Sequence, residues 1–440
     1  MDETVQTFNR VLRFAGISFF SKTNQLSKRW LIFQISNYIH GFITVVFTSA
    51  FVILHFNNML LCIQGACIWT TGVIMFTSLS VCLLFRRKFQ IFLKEMVFKD
   101  SLLDMPLIVH VLESNCTGLL KDLKDLVKES EEKFFRFARI LLKTYIIIGG
   151  VCVTLYLCCA IYQMIKSKDN TLRLLAFDMW FPWSLENFYV YVASFVFQAY
   201  SSYLCCIANP GLQSTIILLV SQTIRQLKII TFILENLNEL SIQLTDNKDN
   251  WQYCCTEILS QCFKRYVKLK RFINRLNSVC QLFYLTLILV ALMLVGMCSV
   301  KIAISNKLAA DTMKYYVHNL YFILTVLMIC LLGQQVENEC ENFELAVTEK
   351  WYLFDKKHIK GVLIFKMAVS KGMPMYIFGS ITISLPTFTW VNYQSYIISY
   401  HHHHHHHLNL LTAGNRSPMS SIVFSSPPSA SIDIQSYLIK

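Results

Sequence analysis

The 440-residue chain is 54% apolar, 14% aromatic and only 15% charged, with a mean hydropathy of +0.45, whereas a soluble domain carries about 25% charged residues. That shortage excludes a water-soluble enzyme, a disordered chain and a small disulfide scaffold, and marks an integral membrane protein. The formal net charge of +13 does not point to nucleic acid, because the basic residues cluster between apolar runs, where positive charge sets orientation.

In chain order, residues 1–30 are polar and amphipathic, without the apolar core of a secretory leader. From Leu31 to Phe85 there is no Asp, Glu, Lys or Arg. One crossing takes about 20 residues, so this stretch predicts two spans, about 32–54 and 59–85, joined by a tight turn at His55, Asn57 and Asn58. Further spans are predicted at about 140–163, 188–209, 278–300, 315–333 and 375–400. The fourth is uncharged as far as Ile224 but meets the breaker Asn209-Pro210-Gly211, so its membrane part should end there with a helix continuing beyond the bilayer. Residues 1–400 thus read as one seven-helix membrane domain. Residues 401–440, with the run His401–His407 and a Ser/Pro-rich stretch, read as a low-complexity, disordered tail.

Seven spans place the termini on opposite sides. The segments on the N-terminal side hold 31 Lys and Arg against 8 on the other, which predicts a cytosolic N-terminus and an outer C-terminus. The long segments 86–139, 210–277 and 334–374 fall on the cytosolic side and carry helical apolar stripes, such as Leu119, Leu123, Leu126 and Val127. They are either solvated amphipathic linkers or a cytosolic helical layer where subunits pack. Apolar faces need burial, which favours the layer. The fold class expected is all-α, a polytopic membrane protein with a cytosolic helical anchor layer.

No hydrolase elbow, phosphate-binding loop, dinucleotide fingerprint or metal-binding spacing occurs in a useful context. An enzyme is not expected, nor a metal site or other cofactor. Most of the sixteen cysteines lie in apolar runs and read as small packing residues. Among ionisable groups inside spans, His40 is the clearest, and it reads as a packed or water-bonded histidine. A proton-coupled transporter would need mid-membrane carboxylates. A receptor or channel for a small, neutral, apolar ligand remains. The outer-loop run Asp178-Met179-Trp180-Phe181-Pro182-Trp183 is either an aromatic belt at the headgroups or something more specific. In the last span, Asn392, Ser395, Tyr396 and Ser399 form a polar stripe, fit either for helix–helix hydrogen bonds or for a pore wall.

Together these pieces resemble the insect odorant receptor family over residues 1 to about 400. The resemblance is strongest in the C-terminal third. It rests on Gly333-Gln334-Gln335-Val336-Glu337-Asn338-Glu339, Ala346-Val347, Trp351-Tyr352, Leu363-Ile364, Met367 and the run from Leu385 to Tyr396, together with the Asp178–Trp183 loop. The resemblance implies an odorant-gated, non-selective cation channel. It implies a hetero-tetramer with a co-receptor subunit in the plasma membrane of olfactory sensory neurons, anchored by the cytosolic layer. It also implies a central pore lined by the last helix, with Asn392, Ser395, Tyr396 and Ser399 as pore residues. A volatile ligand is expected in the outer half of the bundle, against Trp69, Val153, Tyr156, Phe188, Tyr191, Phe195, Tyr316, Leu320 and Ile323.

Departures from the pattern are equally specific. Pro386 stands where the family often has Glu, and should kink or break the last helix near its midpoint or entrance. Related gustatory receptors carry Thr-Tyr…Gln-Phe where this chain reads Thr387-Phe388…Asn392-Tyr393, which weakens a gustatory-type alternative. A metabotropic seven-helix receptor is the other alternative, and it predicts an outward N-terminus. The co-receptor's longer fourth cytosolic segment is missing, which favours a ligand-tuned subunit.

Overall fold

The computed structural model describes residues 2–20, 28–99, 101–114, 117–166, 173–245, 251–304, 310–349, 352, 356–377, 381–395 and 397. Helices α1 (Asp2–Phe14), α2 (Lys28–Leu54), α3 (Met59–Leu84), α4 (Arg86–Leu93) and α5 (Pro106–Glu113) precede the long α6 (Leu119–Lys166) and α7 (Phe188–Glu235). Then come α8 (Leu237–Leu244), α9 (Trp251–Ile304), α10 (Ala310–Thr348) and α11 (Lys356–Val369), a two-residue antiparallel hairpin β1 (Tyr376–Ile377) and β2 (Ile381–Thr382), and a last helix α12 over 385–395. The fold is all-α and polytopic. Among the described residues, α2, α3, α6, α7, α9 and α10 are long and apolar enough to cross a membrane.

Local chemistry sets the turns. Between α2 and α3 the chain reverses over residues 55–58, and the Asn58 side chain caps α3 by accepting from Leu61 N at 3.3 Å. Pro210 lies inside α7 without ending it. Every residue from Ile207 to Leu227 is buried, so neighbouring helices hold the axis where the proline removes a backbone bond.

Four helices outgrow the bilayer. At about 1.5 Å per residue, the 48 residues of α6 and of α7 run about 72 Å, more than twice the hydrocarbon thickness. The charged parts lie at the start of α6 and α9 and at the end of α7 and α10. Because successive spans alternate in direction, all four project on one side. There they pack with α1, α8 and α11: α7 touches α1, α8 and each of the other five candidate spans, and α11 lies on α9 and α10. Phe8 and Leu12 of α1 are fully buried against this layer. Phe365 of α11 enters an aromatic cluster in which Tyr266 and Phe343 stack at 5.0 Å. The charged segments are therefore a packed helical layer and not solvated linkers. Some of the polar groups buried with α7 are paired across or along it: Gln213 donates to Thr325 O at 2.8 Å, Arg225 donates to Gln222 at 3.0 Å, and Arg265 Nε donates to Gln226 at 2.9 Å. Burial pushes the Cys255 and Cys340 thiols up to about 11 and Cys262 up to about 12, so all three stay protonated at neutral pH.

The last span departs from expectation. Residues 376–377 pair with 381–382 as strands, and α12 begins only at 385. Pro386 falls in its first turn, where a missing N–H costs no helical bond, so it marks the entrance and introduces no kink. Gly333 of α10 approaches Ile383 so closely that an added Cβ would collide with the Ile383 carbonyl oxygen. Around Gly150 of α6 the space is open. Gly333→Ala is expected to destabilise the receptor by about 1–3 kcal/mol through overpacking. Gly150→Ala is expected to be neutral or to stabilise by up to about 1 kcal/mol. Thermal denaturation in detergent, followed by fluorescence-detected gel filtration, checks both. Equal midpoints for the two variants would contradict the close approach.

Candidate ligand-binding cavity

In the outer half of the bundle α3, α6, α7 and α10 converge on a cavity of about 80 Å³. Its wall is mostly apolar, with Ile68, Met75, Val153 and Phe322 among the lining residues, and a few hydroxyl, thiol and imidazole groups converge on it. The central polar group is His318. Its Nε2 lies 3.0 Å from Thr71 Oγ1 and its Nδ1 lies 3.1 Å from Tyr156 Oη, so one imidazole ties α10 to α3 and α6. Each ring nitrogen of a neutral imidazole takes one role, donor or acceptor, and the hydroxyl opposite takes the other. On the Tyr156 side the ammonium of Lys314 lies 5.3 Å from the ring centre.

The outer loop closes the cavity. Gln198 of α7 accepts from Ala176 N at 3.0 Å and donates to Phe177 O at 2.8 Å, and so places Phe177 in the cavity wall. Trp183 Nε1 donates to Ser194 at 2.9 Å, Trp180 N donates to Phe47 O at 3.3 Å, and the Phe47 ring packs edge-on against Trp180, Phe181 and Trp183. The tryptophan run is thus a structured lid and more than a headgroup belt. His40 packs 4.1 Å from the Phe197 ring centre and bonds Ser201 at 2.8 Å; Ser201 itself lines the cavity.

Of the expected ligand contacts, the structure brings Val153 and Tyr156 together at this cavity. Trp69 turns to α2, where its Nε1 donates to Ser49 at 2.8 Å. Phe188 is exposed at the start of α7, and Tyr191 donates to Leu174 O at 2.7 Å with Phe195 beside it. On α10 the stripe is displaced. Tyr316 and Leu320 are exposed and Ile323 is half-buried, while Tyr315, His318 and Phe322 face inward. His318 was the informative residue, being an ionisable group in an otherwise uncharged span. Of the expected pore residues, Ser395 is buried and bonds Val391 O at 2.8 Å and Leu292 O of α9 at 3.3 Å, so its hydroxyl serves packing. Asn392 is half-buried and donates to Phe388 O. Tyr396 and Ser399 lie outside the described residues.

Removing His318 strands the Tyr156 hydroxyl in a poorly hydrated site. His318→Leu is expected to cost about 1–3 kcal/mol, and Tyr156→Phe added to it should recover part of that loss. A double-mutant cycle on thermal midpoints tests the pairing; strict additivity would contradict it.

The profile of the 7tm odorant receptor family matches residues 110–396. The insect olfactory receptor OR5 from Machilis hrabei in complex with eugenol shares the fold, with a TM-score of 0.74 and 12% identity over 91% of this chain and 97% of that one. A second structure of OR5 from the same organism gives 0.73 and 11% over 94% of this chain and 98% of that one. Curated protein sequences yield no match. The family profile spans well over half of the sequence, and the chain belongs to the 7tm odorant receptor family.

Proposed function

We propose that this odorant receptor is the ligand-tuned subunit of an odorant-gated, non-selective cation channel, assembled with a co-receptor subunit as a hetero-tetramer. The observation that carries the reading is the His318–Tyr156–Thr71 group set in an apolar cavity beneath the outer-loop lid. Such a site takes a small, uncharged, largely apolar molecule with one hydrogen-bonding group, in line with the eugenol held by OR5. Each buried CH₂ contributes about 0.8 kcal/mol. The cavity holds about 80 Å³, roughly half the 150 Å³ hole that accepts benzene, so a ring-sized ligand must displace side chains. Met75, unbranched and polarisable, is the adaptable wall.

That displacement supplies the gating force. A ligand opens a channel only by binding the open state better. Pushing on His318 and Phe322 moves α10, whose Gly333 meets Ile383 just ahead of α12. The pore wall in this reading is the less buried side of α12, with Thr389 and Asn392; Tyr396 and Ser399, expected from the sequence to belong to it, lie outside the described residues. The charge asymmetry supports a cytosolic N-terminus and an outer C-terminus. Exposed Leu363, Ile364 and Met367 on α11 give the cytosolic layer an aliphatic face for a neighbouring subunit. The setting proposed is the plasma membrane of olfactory sensory neurons.

Whole-cell recording from cells expressing the chain with a co-receptor, across an odorant panel, tests the proposal. Wild-type currents should survive G-protein blockade. Val153→Trp, which fills the cavity, should raise the half-maximal concentration at least tenfold, a loss of about 1.4 kcal/mol. Currents that need intact G-protein signalling would overturn the channel reading.

A further inference from the structure

Where α9 passes from the charged layer into its apolar span, one face of the helix changes chemistry. Arg271, Arg275 and Ser278 are exposed, and the same face continues as exposed Leu282, Leu289 and Met293, all at spacings of three, four or seven. At the changeover a groove of about 410 Å³ opens between α4 and α9, lined by Lys88, Ile91, Phe92, Arg275 and Val279 among others. Its floor is apolar, with Phe92 and Val279 buried, while Ile91 stands 55% exposed at the side. Arg275 is held in place: its Nη2 donates to both carboxylate oxygens of Glu95 at 2.8 Å, and its guanidinium carbon lies 5.8 Å from the Phe92 ring centre. Lys88 has no carboxylate partner among the described residues, and follows Arg86 and Arg87 at the start of α4. Glu95 offsets one of the two cations, so the groove keeps a surplus positive charge at the membrane boundary.

We infer that this groove holds an anionic phospholipid from the leaflet on the charged side. Its headgroup phosphate lies against Lys88 and Arg275, and an acyl chain follows Leu282, Leu289 and Met293. A zwitterionic lipid matches the aliphatic stripe but gains nothing from the surplus charge. A soluble anion gains the charge and loses the stripe. Neither accounts for cations and lipid-facing aliphatics meeting on one helix face, as an acidic lipid does. The site depends on where the bilayer boundary crosses α9 and is separate from the odorant cavity.

Native mass spectrometry of the full-length receptor, purified with equal phosphatidylserine and phosphatidylcholine, tests the inference. Phosphatidylserine should be retained in preference. A juxtamembrane cation contributes about five-fold in affinity for acidic lipid, so Lys88→Ala should lower retention about five-fold while Lys88→Arg preserves it. Ile91→Trp, which fills the groove without changing charge, should displace the lipid. Glycerophosphoserine, the same headgroup without acyl chains, should fail to compete. Equal retention of the two lipids, full retention by Lys88→Ala, or competition by glycerophosphoserine at lipid-like concentration would each overturn it.

Discussion

The structure depends on burying one helix on every side. From Ile207 to Leu227, α7 exposes nothing, so the chain must supply neighbours along its length, first inside the bilayer and then beyond it. The other three long helices, α6, α9 and α10, meet that demand with extensions on the same side, and α1 and α8 add to it. A buried arginine in this axis is tolerable only with partners. Arg225 has Gln222 at 3.0 Å and Glu131 at 3.9 Å, and Gln226 in turn receives Arg265 of α9. These polar ties fix register, while close packing inside the bilayer and apolar burial beyond it supply the driving force.

The same axis explains what could be read from the sequence. Hydrocarbon and a protein core select the same side chains, so the uncharged run through Ile224 did not by itself say where the membrane ends. The Asn209-Pro210-Gly211 breaker gave that end only as an expectation, and α7 continues past it because packing outweighs the lost backbone bond. The turn at residues 55–58 was legible from its polar residues, and Asn58 does cap α3. Less was legible near the site. The strands at 376–377 and 381–382 lie in an apolar stretch that reads equally well as helix, and Gly333, which meets Ile383 just after them, is fifty residues away from it. On α10, aromatic and aliphatic residues occur on all sides, so periodicity could not separate the inward face holding His318 from the outward face holding Tyr316 and Leu320. Val153 and Tyr156, expected only through the family resemblance, both line the cavity. For Ser395 the helix–helix alternative is the one with visible contacts, its hydroxyl lying 3.3 Å from Leu292 O of α9 and 2.8 Å from Val391 O of its own helix.

Cavity, lid and last helix form one connected path. Gln198 holds the outer loop by its backbone, His318 links three helices through one imidazole, and Gly333 brings the far end of α10 against the backbone that leads into α12. In the proposed gating, a ligand that rearranges the first of these contacts acts on the last through packed helices. Packed interiors of this kind switch between discrete arrangements and do not deform continuously.

Cryo-electron microscopy of the co-assembled receptor with its most potent agonist tests the central claim most directly. The account predicts ligand density enclosed by Met75, Tyr156, Phe177 and His318, with a polar ligand atom within hydrogen-bonding distance of His318 or Tyr156. Agonist density elsewhere, above a cavity that stays empty and unexpanded while the pore is open, would contradict it.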